Sequence, residues 1–265
     1  MFDEKFSQLH DVQNPLDQFA QATELLSFNQ QLGVEIARVR KQAIERAVNE
    51  YGMSYSAVAE AVGLTKGRIA QIKKSAPPEE RRFFGYGPIN LAIPQRVQEG
   101  RQFSHVDYGD LQARTKLKDF LENLAFETRQ VEVTENQTLD FFGDTVAICG
   151  PKNSSVIREL LQSDQRIHFV ELSSADWHIE DSAGEEITGI GDLGYIGRLP
   201  YGKRQILIVA GLHVAGSIGA IEYLITHLPK LYEKVSTQNF SMLIDSKMDE
   251  LGNFKSTEIR EAKPL

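Results

Sequence analysis

Two glycine-bearing turns hold most of the polar side chains in this chain that are placed for chemistry. One lies within ILIVAGLHVAGSIGAIEYLITHL, Ile206 to Leu228, where Gly211, His213, Gly216 and Ser217 separate a β-branched apolar run from an amphipathic one. The other is AICGPKNSSVIREL, where Gly150 ends an apolar run, Lys152 offers a cation, and Asn153, Ser154 or Ser155 can cap the helix that follows. A helix that starts just after a strand presents unpaired backbone N–H groups and a partial positive charge, which suits a phosphate or a carboxylate. Arg198, in IGRLP, is placed either to hold such a phosphate or to pair with a strand-end acid such as Asp245; Asp192 and Tyr195 precede it, and Arg96 follows the first apolar strand. Asn153, His213, Ser217 and Arg198 rank first among these.

The second turn departs from the known phosphate cradles. Gly211 and Gly216 have the spacing of a G-x-x-x-x-G-K-[ST] loop, but Ser217 stands where the lysine that meets the β- and γ-phosphates belongs. Gly216 and Gly219 fit the last two glycines of G-x-G-x-x-G, with Val214 in place of the first. Gly219 and Ala220 read as close packing of helix on sheet. For Gly211, His213, Gly216 and Ser217 a ligand role and a solvent-facing corner both stay open. A hydrolytic dyad of His213 and Ser217, with Glu222 further along, ranks below a plain anion-binding turn. Of the six histidines, His105, His168, His178 and His227 are scattered, and no metal site or cofactor is expected. The single cysteine, Cys149, excludes an internal disulfide framework and reads as a small apolar residue at a strand end.

A different chemistry is indicated in SYSAVAEAVGLTKGRIAQIKK, Ser54 to Lys74. Two short helices that cross steeply need a small residue at the contact (Ala59), a residue tolerant of positive φ in the turn (Gly63), and apolar anchors on the second helix (Ile69, Ile72). Residues 34–75 resemble the helix-turn-helix of bacterial DNA-binding proteins, including the final helical module of sigma factors. The resemblance implies a recognition helix over Thr65 to Lys74, with Thr65, Lys66, Arg68 and Gln71 toward bases and phosphates and Lys73 and Lys74 on the backbone. The bland alternative is a trihelical packing module with a solvated basic face. Charge favours the first: the chain carries −8 overall, but Glu35 to Arg82 holds ten Lys/Arg against six Asp/Glu.

The elements that must position these groups fall into two parts, as 265 residues and 41% hydrophobic content allow. The expectation is an N-terminal all-α domain over 1–76, a linker over 77–86 marked by two prolines and alternating charges, and an α/β domain over 87–265. Two helices are expected before the Ser54 motif, the second ending near Tyr51-Gly52; the segment Leu16 to Leu26 serves either as a dimer seam or in intramolecular packing. Beyond the linker, strands alternate with helices, so a mostly parallel, Rossmann-like sheet is expected, with an antiparallel insertion between Trp177 and Leu199. No apolar run approaches a bilayer's thickness and the start is polar and acidic, so a cytoplasmic protein is expected.

Together these features predict a homodimeric transcriptional regulator that binds double-stranded DNA and senses a small phosphate-bearing or nucleotide-like ligand in its α/β domain. The alternatives are an enzyme, a hydrolase of a nucleotide- or NAD-like substrate whose N-terminal helices serve oligomerisation, and a DNA-bound scaffold that recruits another protein.

Overall fold

The computed structural model describes residues 6–95, 106–148, 150–173, 176–250 and 254–265. Cys149, Arg96, His105 and the Asn153 side chain, all weighed above, lie outside the described residues.

Asn14 caps the first helix, its side chain accepting from Leu16 N at 2.9 Å, and Pro15 supplies the first turn. The two helices expected before Gly52 are one: α1 runs unbroken from Pro15 to Asn49, about 50 Å long at the usual rise. Only Gly33 weakens it, and a glycine without a proline costs a helix only about 1 kcal/mol. Ser54 then caps α2 (Tyr55–Ala61) and Thr65 caps α3 (Lys66–Ser75). Between them Gly63 takes φ +67°. Leu64 N donates to Ala59 O at 2.8 Å and Gly63 N to Glu60 O at 3.2 Å, a Schellman closure that satisfies the last carbonyls of α2. Ile44 of α1, Val58 and Ala59 of α2, and Ile69 and Ile72 of α3 form a small core.

The stretch expected as a linker contains a 3-10 helix, Glu79–Phe84, in which Arg81 is fully buried and Phe83 and Phe84 are nearly so. Arg81 donates to Leu124 O (3.0 Å) and to Gln31 Oε1 (2.8 Å), and its guanidinium lies 3.7 Å from the centre of the Phe126 ring. Glu35 of α1 chelates Arg38 at 2.8 and 3.0 Å and stands 3.6 Å from Arg81 and 3.9 Å from Arg82. Burial pulls the Arg81 guanidinium down to about 10, whereas the bond to Glu35 raises Arg38. Ser27 Oγ donates to Glu127 at 2.6 Å further along the same helix. α1 is thereby held against the rest of the molecule.

The remainder is a mixed α/β body. β1 (Ile89–Pro94), β2 (Thr128–Val133), β3 (Asp144–Ile148), β6 (Asp192–Tyr201), β7 (Arg204–Gly211), β8 (Phe240–Met248) and β9 (Phe254–Pro264) form one sheet. Their order is β2-β1-β3-β7-β6-β8-β9. The β2-β1-β3-β7 half is parallel, while β6 and β9 run against their neighbours. The sheet is therefore mostly parallel, but it is not parallel throughout. The reason is the tight turn at Gly202 (φ +58°), which joins β6 to β7 as a hairpin. β4 (Ile167–Ser173) and β5 (Asp176–Asp181) form a separate hairpin.

Side-chain alternation along β7 builds two cores. Leu207 and Val209 face α4 (Tyr108–Asn123) and α6 (Val214–Val235); Ile206, Ile208 and Ala210 face α5 (Ser155–Gln162) and the β4–β5 hairpin, through Leu160, Phe169 and Trp177. Strands covered on both faces read as continuous apolar runs, as ILIVA does.

Candidate functional site

Two regions bear the predicted residues. In the helical head, Ile69 and Ile72 turn inward, leaving Lys66, Arg68, Gln71 and Lys74 exposed on α3. Arg68 donates to Gln71 Oε1 at 2.6 Å, so these two side chains already act as a pair. Thr65 is spent on structure: its hydroxyl accepts from Arg68 N at 3.1 Å as the helix cap. Lys73 is half-buried, donates to the Tyr55 hydroxyl and lies 4.1 Å from the centre of that ring, which ties α3 to α2. Part of the local positive excess is also structural, because Arg38 and Arg81 are buried around Glu35 and Arg82 lies 3.7 Å over the Tyr86 ring.

The second region is a crevice of about 210 Å³ at the carboxyl ends of β3 and β7. These strands are parallel neighbours, with Ile148 beside Val209, so the turns that follow them lie side by side. Gly150, Lys152, Gly211, His213 and Ser217 line the crevice together, over Phe169 and Trp177. A Cβ on Gly150 would come 3.2 Å from Gly211 O, so the two turns are in contact.

The donors expected to receive an anion there are largely occupied. At the start of α6, His213 makes no side-chain cap. Asp192, at the start of β6, does so instead: its Oδ2 accepts from Gly216 N and its Oδ1 lies 3.1 Å from His213 Nδ1. A carboxylate thus already complements the helix terminus. Gly216 serves packing, since a Cβ there would come within 2.2 Å of Leu193 O, and at Gly219 it would meet Ser246 Oγ at 1.9 Å. At α5, Ser154 is wholly buried and caps Ile157 N, and Ser155 turns to Glu135 O at 2.9 Å.

Other predicted partners lie elsewhere. Arg198 is buried on β6, where its guanidinium donates to the carbonyls of Phe83, Ser236 and Gln238, and Asp245 accepts from Ile190 N and Gly191 N instead of pairing with it. Tyr195 is sealed in the core, its hydroxyl on Asp164 at 2.8 Å, and burial raises its pKa. Glu222 pairs with Lys116, and among the described residues His213 and Ser217 are joined only through the backbone, Ser217 N donating to His213 O at 3.4 Å, with no hydrogen bond between their side chains. The side chain paired with His213 is Asp192, which stands behind the crevice lining. Asp110, on α4, also lines the crevice; a helix-face aspartate has no sequence signal that would single it out.

Among the described residues no group of three His, Cys, Asp or Glu side chains is placed to hold a metal, and no helix is long and apolar enough to cross a membrane. No family model fits the chain, and no curated protein matches it in sequence.

Proposed function

We propose that this chain is a DNA-binding regulator whose α/β body responds to a small phosphate-bearing or nucleotide-like ligand. The observation that carries the reading is the exposed set Lys66, Arg68, Gln71 and Lys74 on a short helix whose other face, Ile69 and Ile72, is locked into its own core. Such a helix enters the major groove with side chains for bases and phosphates, and the preceding short helix crosses the backbone. A single head of this size binds weakly, and α1 offers the means of pairing. Phe19, Leu26 and Ile36 are 73%, 58% and 54% exposed. With Ala22, Gly33 and Ala43 they recur at steps of three, four or seven residues along one side, the spacing of a helix–helix seam.

The crevice suits a small polar group better than a polyphosphate, because Asp192 already occupies the start of α6. A ligand acts on the heads only through unequal affinity for two arrangements of them. The Asp192–His213 pair favours the enzyme reading, since a carboxylate that orients an imidazole is the usual build of a general base. If His213→Ala left any hydrolytic turnover of nucleotides intact, that reading would be lost.

The test of the DNA reading is fluorescence anisotropy with mixed-sequence duplex. The full chain is expected to bind at about 50 mM salt and to weaken steeply toward about 200 mM, as displaced counterions require. Lys66→Ala with Arg68→Ala should abolish retention without changing the melting temperature, because both side chains are exposed. Equal retention by the double variant overturns the proposal.

A further inference from the structure

At the opposite end of the central strands, beside the amino ends of β3 and β7, lies a cavity of about 780 Å³, more than three times the volume of the crevice. Its walls come from α1, the segment after the 3-10 helix, and the β6–β7 hairpin. A space of this size accommodates a whole small molecule.

Its charge is one-sided. Arg82, Arg198, Lys203 and Arg204 line it, and among the described residues Asp144 is the only carboxylate in the lining. Asp144 Oδ2 already accepts from Tyr86 N at 2.7 Å and Gly87 N at 2.9 Å. Arg82 has Glu35 at 3.9 Å, but the other two arginines are held by neutral groups: Arg198 by three main-chain carbonyls and Arg204 by Phe141 O. Hydrogen bonds to carbonyls orient a guanidinium without cancelling its charge. Arg198, only 4% exposed, therefore keeps its charge at the cavity wall with no direct ion pair among the described residues, Asp144 acting on it only from a distance, an arrangement interiors seldom keep without a closer counter-charge. Burial draws its pKa down to about 10, and the neighbouring charge of Arg82 acts in the same direction. The cavity also has flat apolar walls, with Phe28 and Phe142 edge to face at 5.8 Å.

We propose that this cavity binds an anion bearing a planar ring, the mononucleotide class, with its phosphate among Arg198, Lys203 and Arg204 and its ring against Phe28 and Phe142. A route to the head runs through the same walls. Leu25 and Phe28 belong to α1, and Arg82 reaches Glu35, which also holds Arg38 and Arg81. An occupant that draws on Arg82 alters the cluster that seats α1, and Ile44 of α1 packs in the core of the head. This regulatory half rests on the DNA-binding reading; the binding half does not.

The test is equilibrium dialysis of the full chain with AMP, GMP, CMP and UMP, and with adenosine and inorganic phosphate as half-ligands. At least one mononucleotide is expected to bind about tenfold or more tightly than either half. Lys203→Glu, at an exposed position, should weaken it about tenfold while leaving the fold intact; Phe28→Ala should weaken the nucleotide but not phosphate. If no mononucleotide binds at millimolar concentration, or if Lys203→Glu is without effect, the proposal is overturned. Photolabelling with 8-azido-AMP locates the site: peptides around 25–31 or 198–207 support it, and label confined to 150–152 or 211–217 overturns it. Duplex anisotropy run in parallel separates the two halves. Nucleotide binding that leaves DNA affinity unchanged removes the regulatory half alone, and loss of DNA binding in the Lys66/Arg68 double variant leaves the nucleotide result standing.

Discussion

Replacing Glu35 with alanine should be among the most damaging single changes available in α1. Its carboxylate lies between two buried guanidinium groups, Arg38 at 2.8 Å and Arg81 at 3.6 Å, with Arg82 at 3.9 Å. Without it Arg38 and Arg81 stay buried, and Nη1 of each already has no hydrogen-bond partner, so little slack remains to absorb the loss. Stranding a buried charge in this way costs about 3–5 kcal/mol. For a chain of this size each kcal/mol lowers the melting temperature by about 2–4 °C, so Glu35→Ala should melt about 6–20 °C below the wild type. Calorimetry supplies the value, and a double-mutant cycle with Arg38→Ala supplies the cause. The double variant should be less destabilised than the sum of the two singles, because it removes one stranded cation. A single-variant loss below about 1 kcal/mol, or additivity within about 0.5 kcal/mol, would refute the reasoning.

Three further outcomes follow from the geometry of the body. Gly219→Ala should lose about 1–3 kcal/mol in urea unfolding, because its Cβ would fall on Ser246 Oγ, and Ser246→Gly should restore part of that loss. Asp192→Ala should cost about 0.5–2 kcal/mol as a lost helix cap, and should make the melting temperature sensitive to inorganic phosphate by vacating the start of α6. Stability should fall in alkali: Tyr195 has a raised pKa in the folded state, so its contribution is fully present below the unfolded tyrosine value near 10 and is lost as pH rises past it. Tyr195→Phe should flatten that alkaline limb in a pH series of thermal melts, and an unchanged limb would assign it to other groups.

How far the sequence could be read depended on where the signal lay. Gly63, Ala59, Ile69 and Ile72 carry a local pattern, and they occupy the turn and the core that pattern requires. The apolar runs of β3 and β7 were equally legible; parallel sense puts the Gly150 and Gly211 turns at the same end of the sheet, but only the pairing of β3 with β7 makes them adjacent. β9 was not legible: it is a polar edge strand whose residues alternate toward solvent, so no apolar run announces it. The Gly202 turn was not marked, although an antiparallel course was expected between Trp177 and Leu199 and β6 does run against both its neighbours. The partners of Arg198 were not legible because a sequence shows a charge but not which neighbours claim it; three carbonyls distant from it in the chain do so. The same limit hid Asp192, which lies 24 residues before the amide it caps.

The packing of the 3-10 helix Glu79–Phe84 sets where this chain can be divided. Proline pairs and alternating charges ordinarily invite a cut, but a fragment beginning at residue 87 would leave behind Arg81, Phe83 and Phe84, whose side chains fill the body. It would also strip Arg198 of the Phe83 carbonyl. A separately expressed body therefore needs its boundary before Pro78, and a protease should find this stretch resistant despite its composition. Any movement of the head must then disturb the seat of α1 on the body, at Ser27, Gln31 and Glu35, and is not the play of a loose tether.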